Sequence, residues 1–452
     1  MAKLRNDIDL TEGVIWKQIV RFALPLLIGN IFQILYNTVD TLVVGNFVNK
    51  QALGAVGMMG APINAMVSFF IGIANGATVV ISNYFGAKDD DGVSKSVQTT
   101  IALSLIASVI CTVMGICAVP MLIKMMKTPL DMQAYAREYL HIYFMGISGL
   151  MIYNIGAGIM RAVGDSRRPL YFLIVSALLN TVLDLLFVVA FKWEVRGVAL
   201  ATIISQAVSA VLVMLALTKT HTSYRILWRK LRIHMGILKR VIRIGLPAAI
   251  QSTITSISNV FVQGYINAFG SGCAAGWTVY GKIDQYALLP INSLAISATT
   301  FVGQNIGAKD VKRAKSGIKI TLFMAFVCCV VVGIPLLSFS RFLVGLFNRD
   351  SEVLYYGATF LRMMSPFYFL CAVNQMLAGS LRGAGFSTGP MVIMLASFVA
   401  FRQLYLFVCS TIFNSIYVVA LAYPMGWILC SLLMVIYYKK SNWEKKYLDE
   451  RT

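Results

Sequence analysis

A single acidic residue, Asp40, lies within an otherwise uncharged apolar segment, residues 31–48 (IFQILYNTVDTLVVGNFV), that is long enough to cross a lipid bilayer. A carboxylate in hydrocarbon is costly unless it faces a water-filled cavity, is paired or is protonated. At helical spacing, several polar residues share one face with it. They are Gln33, Tyr36, Asn37 and Thr41. The pattern predicts that Asp40 faces the protein interior rather than lipid and has a functional role.

A second acidic residue, Asp184, occurs in a later apolar segment, with Asn180 one helical turn before it. Asp40 lies ten residues before Lys50, and Asp184 lies eight before Lys192. These separations correspond to about 15 and 12 Å of helix, so the two carboxylates are predicted to lie at a similar depth. Other polar residues at helical spacing can complete a hydrated pocket: Tyr139, Tyr143, Asn154, Thr202, Ser205, Gln206 and Ser209.

Two chemical roles are open for this acid pair. Burial and like-charge repulsion both disfavour double ionisation, so proton uptake near neutral pH is expected. Carboxylate, amide and hydroxyl oxygens are also hard ligands that can hold Na⁺. A structural alternative is that both acids only accept hydrogen bonds from Asn or Tyr side chains and so hold helices together.

The composition indicates a polytopic membrane protein. The chain of 452 residues is 58% hydrophobic and 13% charged, with a mean hydropathy of +0.74, which is too apolar for a soluble globular protein. The net charge of +20 arises from Lys and Arg between apolar runs, as expected for cytoplasmic loops and not for a nucleic-acid-binding surface. Seven cysteines are predicted to be small buried apolar side chains: Cys111, Cys117, Cys328, Cys329, Cys371, Cys409 and Cys430. No cleavable signal peptide is expected.

Twelve apolar windows have the length of about twenty residues that is needed to cross the hydrocarbon core. They cover approximately residues 17–45, 52–85, 95–120, 132–160, 169–191, 195–218, 238–267, 272–305, 316–340, 353–381, 388–411 and 414–438. The predicted fold is therefore all-α, with twelve transmembrane helices in two pseudo-symmetric six-helix bundles.

The predicted division of the chain follows from these windows. It comprises an N-terminus at 1–16, a first bundle at 17–218, an amphipathic linker at 219–237, a second bundle at 238–438 and a C-terminal tail at 439–452. Most of the 39 Lys and Arg residues flank the side on which both termini lie. The positive-inside rule then places both termini and the linker in the cytoplasm.

The two halves repeat. RFALP at residues 21–25 matches RIGLP at 243–247, and FGAKD at 85–89 matches IGAKD at 306–310. Arg161, Gly164 and Pro169 likewise match Arg382, Gly385 and Pro390. Two six-helix copies that both enter from the cytoplasm are parallel repeats, an architecture suited to transport around a central cleft, although a channel or scaffold can also be duplicated.

The acid pair is confined to the first half, because the positions aligned with Asp40 and Asp184 are Val262 and Tyr405. The second half instead carries Lys282, Asp284 and Arg402 inside predicted spans. Asp284 and Arg402 are expected either to form a buried ion pair or to contact a substrate. A set of aromatic, Met and charged residues is predicted to line a substrate cleft: Met66, Phe69, Phe70, Tyr280, Asp284, Tyr286 and Arg402.

The opening residues 10–48, LTEGVIWKQIVRFALPLLIGNIFQILYNTVDTLVVGNFV, resemble those of multidrug and toxic compound extrusion (MATE) transporters. The duplicated G-A-K-D and R-x-x-G motifs extend this resemblance over essentially the whole chain. It implies two six-helix lobes that export amphipathic, often cationic compounds in exchange for H⁺ or Na⁺ by alternating access. The coupling ion would be the only cofactor, and the protein would be a monomer in the inner membrane of a prokaryote.

The prokaryotic branch with acids in helices 1 and 5 is the most similar. The resemblance implies a cation site at Asp40, Asn180 and Asp184, extended by Gln33, Tyr36, Asn37, Tyr139 and Thr202. If the ion is Na⁺, Asp40 and Asp184 would be its ligands. Another branch places acidic ligands in helices 7 and 10, where this chain has Thr255, Ser256 and residues 371–374 (CAVN), so a second-lobe site of that kind is not expected.

Three other functions were compared with export. A lipid-linked oligosaccharide flippase should gather basic residues in its central cavity, whereas Lys282 and Arg402 are the only interior basic residues in the predicted spans. A membrane enzyme is disfavoured, because His141, His221 and His234 show no metal-ligand or nucleophile spacing. A passive channel would show conductance without exchange. The sequence therefore favours an exporter of small organic compounds. Its expected partners are these compounds and membrane lipid, and no nucleic acid is expected to bind.

Overall fold

The computed structural model describes residues 8–126, 128–413 and 415–444, in which all regular secondary structure is helical. Residues 1–7 and 445–452 of the two predicted cytoplasmic ends lie outside these ranges. Six helices form the first half: α1 Ile15–Phe47, α2 Lys50–Gly86, α3 Asp90–Met125, α4 Leu130–Ala162, α5 Arg167–Asp184 and α6 Glu194–Lys219. α5 continues into a π-helical segment, Leu185–Ala190.

Six further helical elements form the second half. They are α7 Met235–Asn267, α8 with its two segments Ser271–Ala287 and Leu289–Gly307, α9 Val311–Ser338, α10 with its two segments Ser351–Met364 and Tyr368–Gly383, α11 Thr388–Leu395 continuing as Arg402–Ile412, and α12 Ile416–Lys440. The two parts of α11 are joined by a π-helical segment, Ala396–Phe401, and the short helix Ser340–Gly345 lies between α9 and α10. The predicted order of twelve helices is confirmed.

Within the described residues, nine helices are long and apolar enough to cross a membrane, and ten if the two segments of α8 form one span. α7 and α10 are not among them. The predicted windows treated α8 and α10 as continuous, whereas α8 bends by 43° beside Pro290 and α10 is interrupted by a 3₁₀ turn, Ser365–Phe367, that contains Pro366. Proline lacks the N–H that an uninterrupted helix requires, which explains both breaks.

The two G-A-K-D motifs, one in each half, adopt the same local structure. Lys88 and Lys309 adopt positive φ angles of 57° and 59°. The next residues, Asp89 and Asp310, are the N-caps of α3 and α9, and each carboxylate accepts the backbone N–H three positions on at 2.9 Å. This capping satisfies a backbone donor at the start of each helix. The duplication therefore extends to the details of the turn.

The R-x-x-G motifs also form equivalent turns. Gly164 and Gly385 have φ angles of 89° and 81° just after α4 and α10 end. A side chain is strained in this left-handed region, which explains why both copies use glycine there. At Gly164 a Cβ atom would in addition lie 2.0 Å from the carbonyl oxygen of Ile8.

The chain divides into two compact units. The first contains the described residues up to 9 together with 24–246, and the second contains 10–23 and the described residues from 247 onward. Two of the three divisions fall within α1 and α7, next to Pro25 and Pro247. The predicted boundaries at 17, 219 and 238 stay predictions.

In the first unit, the segment predicted as an amphipathic linker is packed onto the helices. Residues 220–234 of this segment are irregular apart from the 3₁₀ turn Trp228–Lys230, and its two ends belong to α6 and α7. Tyr224 and Ile226 are buried in a core cluster shared with α2, α3, α4 and α6. The side chain of Gln98 donates a hydrogen bond to the carbonyl of Arg225 at 2.9 Å and accepts one from the Leu227 N–H at 3.2 Å.

In the second unit, the segment before α1 is held by α8 and α9. Leu10 is fully buried, and its N–H donates to the Gln304 side chain at 3.1 Å. Its carbonyl accepts from Asn305 at 3.2 Å and from Arg313 at 3.3 Å. These bonds satisfy both backbone groups of a residue that lies outside regular secondary structure.

Two predictions about buried side chains were wrong in part. Cys117 is exposed, and Cys328, Cys371 and Cys409 are half-buried, although all lie within helices. Lys282, predicted to be interior, is exposed on α8. An apolar run contains both core-facing and outward-facing positions, so membership of the run does not establish burial.

Candidate functional site

Three helices of the first unit bring the two predicted acids together. The carboxyl groups of Asp40 on α1 and Asp184 on α5 lie side by side, without a well-aligned hydrogen bond between them. From α6, the hydroxyl of Thr202 donates to Asp40 Oδ2 at 3.4 Å. Asn180 also lies beside Asp40. We refer to Asp40, Asn180, Asp184 and Thr202 as the acid cluster.

The acid cluster is short of hydrogen bonds, and all of its residues except the half-buried Asp40 are buried. Asp184 is 0% exposed and Asn180 is 1% exposed. Both carboxylate oxygens of Asp184, both amide atoms of Asn180 and Oδ1 of Asp40 have no partner among the described residues. A buried polar group without a partner costs about 1–3 kcal/mol. The cluster therefore contains polar atoms that a bound proton or cation would satisfy.

A local irregularity of the helix follows directly after Asp184. The chain continues from α5 into the π-helical segment Leu185–Ala190. π-Helical turns are rare in proteins and are concentrated at functional sites. Apolar side chains pack next to the cluster on this side, among them Val43 and Val44 from α1 with Val188 and Val198. An apolar environment of low dielectric constant strengthens electrostatic interactions.

A second group of polar side chains surrounds the acid cluster. The hydroxyl of Tyr36 lies beside the side chains of Gln33 and Gln206. Tyr139 and Tyr143 pack with ring centroids 6.0 Å apart and lie near Asp40. Thus the structure brings Gln33, Tyr36, Tyr139 and Thr202 to the predicted cation site.

Other residues predicted for this pocket are either exposed or hydrogen-bonded within their own helix. Asn37 and Thr41 are exposed. The side chain of Asn154 donates to the carbonyl of Leu150 one turn back, and the hydroxyls of Ser205 and Ser209 bond to carbonyls of their own helix. Helical spacing alone did not predict which polar residues of α1 are exposed.

A cavity of about 450 Å³ lies within the second unit. α7, α8, α10, α11 and α12 supply its lining: Thr255, Asn259, Gln263, Trp277, Tyr280, Gly281, Asp284, Leu288, Cys371, Asn374, Gln375, Met394, Phe398, Arg402, Tyr423 and Trp427. Aromatic, amide and charged groups therefore line one partly open cavity. Its size is in the range of small-molecule binding sites.

Asp284 is held on the cavity wall by two tyrosines. Its Oδ1 accepts hydrogen bonds from the hydroxyl of Tyr280 at 3.1 Å and from that of Tyr368 at 2.5 Å. Tyr280 lies on the same helix, whereas Tyr368 belongs to α10. These bonds fix the orientation of the carboxyl group.

Arg402 lies on the wall of the same cavity with uncharged partners. Its Nη2 donates to Ser258 Oγ at 2.9 Å and to Asn259 Oδ1 at 2.8 Å, and its guanidinium lies 4.6 Å from the ring centroid of Tyr423. Its Nε is buried without an acceptor among the described residues. The buried ion pair considered for Asp284 and Arg402 is not formed, because each side chain is engaged by other groups.

The remaining residues of the predicted substrate cleft do not line this cavity. Met66 and Phe70 pack against a core cluster of the first unit, and the rings of Phe69 and Phe70 meet edge to face at 5.5 Å. Tyr286 is exposed. Of that predicted set, the structure brings together Tyr280, Asp284 and Arg402.

Sequence reasoning missed most of the cavity of the second unit. Trp277, Tyr423 and Trp427 line it, and Ser258 and Tyr368 position its charged groups, but these residues lie in ordinary apolar windows. One signal was present: Asn259 is the repeat counterpart of Asn37 in the polar stripe of α1. Among the described residues, no group of three His, Cys, Asp or Glu could hold a metal ion, so a cation at the acid cluster would need amide and hydroxyl ligands as well.

A duplicated, polytopic helical fold with a buried acid pair in one half defines a class of membrane transporters. The MatE family model matches residues 25–186 and again residues 247–408. The chain therefore belongs to the MatE family, the multidrug and toxic compound extrusion transporters.

Relatives and solved structures match along nearly the whole chain. The probable multidrug resistance protein YpnP of Bacillus subtilis is 27% identical over 436 residues, covering 96% of this chain and 97% of the relative. YoeA, a second probable multidrug resistance protein of that organism, is 28% identical over 440 residues and covers 96% and 95%. A multidrug resistance MATE family transporter solved in an outward-facing conformation has a TM-score of 0.91, with 23% identity and coverage of 97% and 99%. This last similarity establishes the common fold.

Proposed function

We propose that this transporter exports amphipathic, often cationic drugs and toxic organic compounds in exchange for H⁺ or Na⁺. The observation that carries the proposal is the pairing of Asp40 with Asp184 inside the first unit, with carboxylate and amide atoms that lack partners. Two relatives that are named probable multidrug resistance proteins support the choice of drugs as substrates.

Coupling follows from differential binding. A proton or Na⁺ at the acid cluster stabilises one conformation, and drug binding stabilises the other, so the gradient of the ion drives alternating access. A proton removes one of two adjacent negative charges, and Na⁺ offsets them while accepting oxygen ligands from Asn180 and Thr202. Either ion supplies the interaction that the buried oxygen atoms of the cluster lack.

A purely structural role for the acids is less consistent with the geometry. Side chains that hold helices together should have their hydrogen-bonding groups satisfied, because an unsatisfied buried acceptor destabilises the fold. Thr202 donates to Asp40, but neither oxygen of Asp184 has a partner among the described residues. An ion-binding role explains this arrangement.

The decisive experiment measures ethidium transport across the membrane of proteoliposomes, with a pH gradient and a Na⁺ gradient imposed separately. We expect one of the two ion gradients alone to drive ethidium transport against the concentration gradient of ethidium. The same gradient should fail to drive Asp40→Asn and Asp184→Asn. Ethidium movement that is independent of both gradients, or that persists in both variants, would refute coupling at the acid cluster.

The membrane topology belongs to the same proposal. We propose that the protein is a monomer in the cytoplasmic membrane. Both termini are proposed to be cytoplasmic, because Lys and Arg are enriched on the side on which the termini lie. In an active variant whose eight native cysteines are replaced, cysteine substitutions at exposed Lys239 and at exposed Arg349 should be labelled from opposite sides by a membrane-impermeant maleimide. Labelling of both from one side would contradict this topology.

A further inference from the structure

The cavity of the second unit carries one group of each charge sign, and these groups do not neutralise each other directly. Asp284 and Arg402 both line the cavity but form no ion pair. In a low-dielectric interior, charged groups are normally paired, because an unpaired charge is strongly disfavoured. The charges on this wall therefore need another explanation.

Arg402 retains capacity to bind an anion. It is 3% exposed, and its guanidinium is always protonated in proteins. Its hydrogen bonds to Ser258 and Asn259 use only Nη2, and no acidic side chain lies within ion-pair distance among the described residues. Its buried Nε has no acceptor. A planar guanidinium with free donors is suited to bind a carboxylate in a bidentate manner.

Asp284 retains capacity to bind a cation. The hydroxyls of Tyr280 and Tyr368 both donate to Oδ1, and no described residue donates to Oδ2. No basic side chain lies within ion-pair distance of this carboxylate in the described chain. The two tyrosines orient it but bring no positive charge, so an ammonium group of a ligand would be its natural counterion.

A continuous aromatic surface connects the two charged groups. Tyr280, which bonds to Asp284, lies 4.9 Å from the ring of Trp277, and Trp277 lies 5.4 Å from that of Tyr423. Tyr423 in turn packs under the guanidinium of Arg402. This surface suits the apolar or aromatic body of a ligand whose two charged groups contact Arg402 and Asp284.

We propose that this cavity is a binding site for amphipathic zwitterions, in which Arg402 binds the anionic group, Asp284 binds the ammonium group, and the wall of Trp277 and Tyr423 holds the apolar body. Such a ligand neutralises both charges at once, which neither a simple cation nor a simple anion can do. This inference rests on the proposed export function, because it adds a substrate class to it.

The competing explanation is that both charged residues only join helices. Arg402 on α11 bonds to Ser258 and Asn259 on α7, and Asp284 on α8 bonds to Tyr368 on α10. A purely structural role predicts that substitutions lower thermal stability and weaken all ligands equally. A ligand-binding role predicts a selective change in preference among ligands that differ by one charged group.

Three dansyl probes make this distinction. Nε-dansyl-lysine is a zwitterion, dansylcadaverine is the same molecule without the carboxylate, and 6-(dansylamino)hexanoic acid is the same molecule without the amine. Equilibrium binding is measured as energy transfer from tryptophan to the dansyl group in the purified full-length protein. Trp277 and Trp427 line the cavity and serve as donors, and only the energy transfer that an excess of unlabelled ligand displaces is counted as bound probe.

In the wild type, we expect Nε-dansyl-lysine to bind at least about tenfold more tightly than either analogue, as is typical of a charge-assisted contact in a desolvated site. Arg402→Gln should abolish its advantage over dansylcadaverine, and Arg402→Lys should restore much of it. Asp284→Asn should abolish its advantage over 6-(dansylamino)hexanoic acid and leave its advantage over dansylcadaverine.

The matched control is Arg362→Gln, which removes a positive charge from α10 outside the cavity, where Arg362 donates to Ser340 Oγ at 2.7 Å. It should preserve the wild-type order of affinities. The proposal is overturned if the three probes bind equally to the wild type, or if Arg402→Gln keeps the full preference for the zwitterion. Because a ratio between probes is measured for each variant, a general loss of stability does not imitate the expected result.

The outcome is separable from that of the proposed export function. Binding is measured at equilibrium without any ion gradient, and Asp40→Asn should retain the preference for Nε-dansyl-lysine while losing ethidium efflux. Loss of efflux with an unchanged cavity preference supports both proposals. Gradient-driven efflux without any zwitterion preference supports export alone and removes the cavity proposal.

Discussion

Asp184 lies one helical turn after Asn180 on α5, and all four polar side-chain atoms of the two residues are buried without a partner among the described residues. This arrangement is destabilising unless something binds there. Asp40 and Thr202 lie nearby but do not provide the missing hydrogen bonds of Asp184 and Asn180. The acid cluster therefore has the composition of a site that is completed by an ion.

Asp184→Asn and Asp40→Asn are each expected to reduce ethidium efflux from cells to the background level. An amide has nearly the same shape as a carboxylate but can neither take up a proton nor neutralise Na⁺. Because each substitution removes a buried charge, the apparent melting temperature in detergent should stay equal or rise. Efflux assays combined with immunoblots and thermal denaturation provide the measurement.

The matched control for this pair is Asp131→Asn, which alters an exposed carboxylate in the first turn of α4. It should leave efflux at the wild-type level. Full efflux in both acid-cluster variants, at unchanged protein levels, would show that the acids are dispensable for transport.

Gly164→Ala is expected to lower the apparent melting temperature clearly. The residue has a φ angle of 89°, and a Cβ atom would lie 2.0 Å from the carbonyl oxygen of Ile8. The strained backbone alone costs about 1–2 kcal/mol, and the contact adds to it. Gly236→Ala, in α7 with no atom within 4 Å of a Cβ, should be neutral or stabilising by up to about 1 kcal/mol. Equal melting temperatures for the two variants would contradict this reading.

Asp89→Ala and Asp310→Ala should each destabilise the protein by about 1 kcal/mol, because each removes an N-cap acceptor. The two effects should be similar, since the capping distances are both 2.9 Å. Asp90→Ala, which alters an exposed residue in the first turn of α3, should cost only a few tenths of a kcal/mol. Chemical denaturation in mixed micelles can rank the three variants, and an effect of Asp90→Ala as large as that of Asp89→Ala would argue against the capping role.

Gly281→Leu should weaken binding of Nε-dansyl-lysine at least about tenfold, with little change in thermal stability. Gly281 lines the cavity of the second unit, and a Cβ there meets no atom within 4 Å, so a larger side chain fills space that a ligand would occupy. Gly264→Leu places the same side chain in open space on α7 away from the cavity and should bind normally. Unchanged binding by Gly281→Leu would locate the probe elsewhere.

The architecture could be predicted from the sequence because length and hydropathy determine membrane spans, and because the motifs occur twice. The G-A-K-D turns are an example, since Asp89 and Asp310 cap equivalent helices as the repeat implies. Interruptions were not predicted, although Pro290 and Pro366 lie at the bend of α8 and the break of α10. Hydropathy averages over a window and is insensitive to a single missing backbone donor.

The proximity of Asp40 and Asp184 followed from counting residues along two helices from the same membrane face, although their role in ion coupling stays a prediction. The cavity around Arg402 could not be found in this way. Its partners Ser258 and Tyr423 come from α7 and α12, and their side chains meet only when the helices pack. Spacing within one helix carries no information about which face of a distant helix lies opposite.

The π-helical segments at Leu185–Ala190 and Ala396–Phe401 each border a buried charged residue, Asp184 in one half and Arg402 in the other. A wider turn accommodates one residue more than the regular helical repeat, and each residue advances the helix by about 100°. Deleting a single amino acid from either segment would thus restore regular helical hydrogen bonding directly beside the charged residue and keep the orientation of the helix beyond it. In each half, one widened helical turn adjoins the buried charged residue of a proposed binding site.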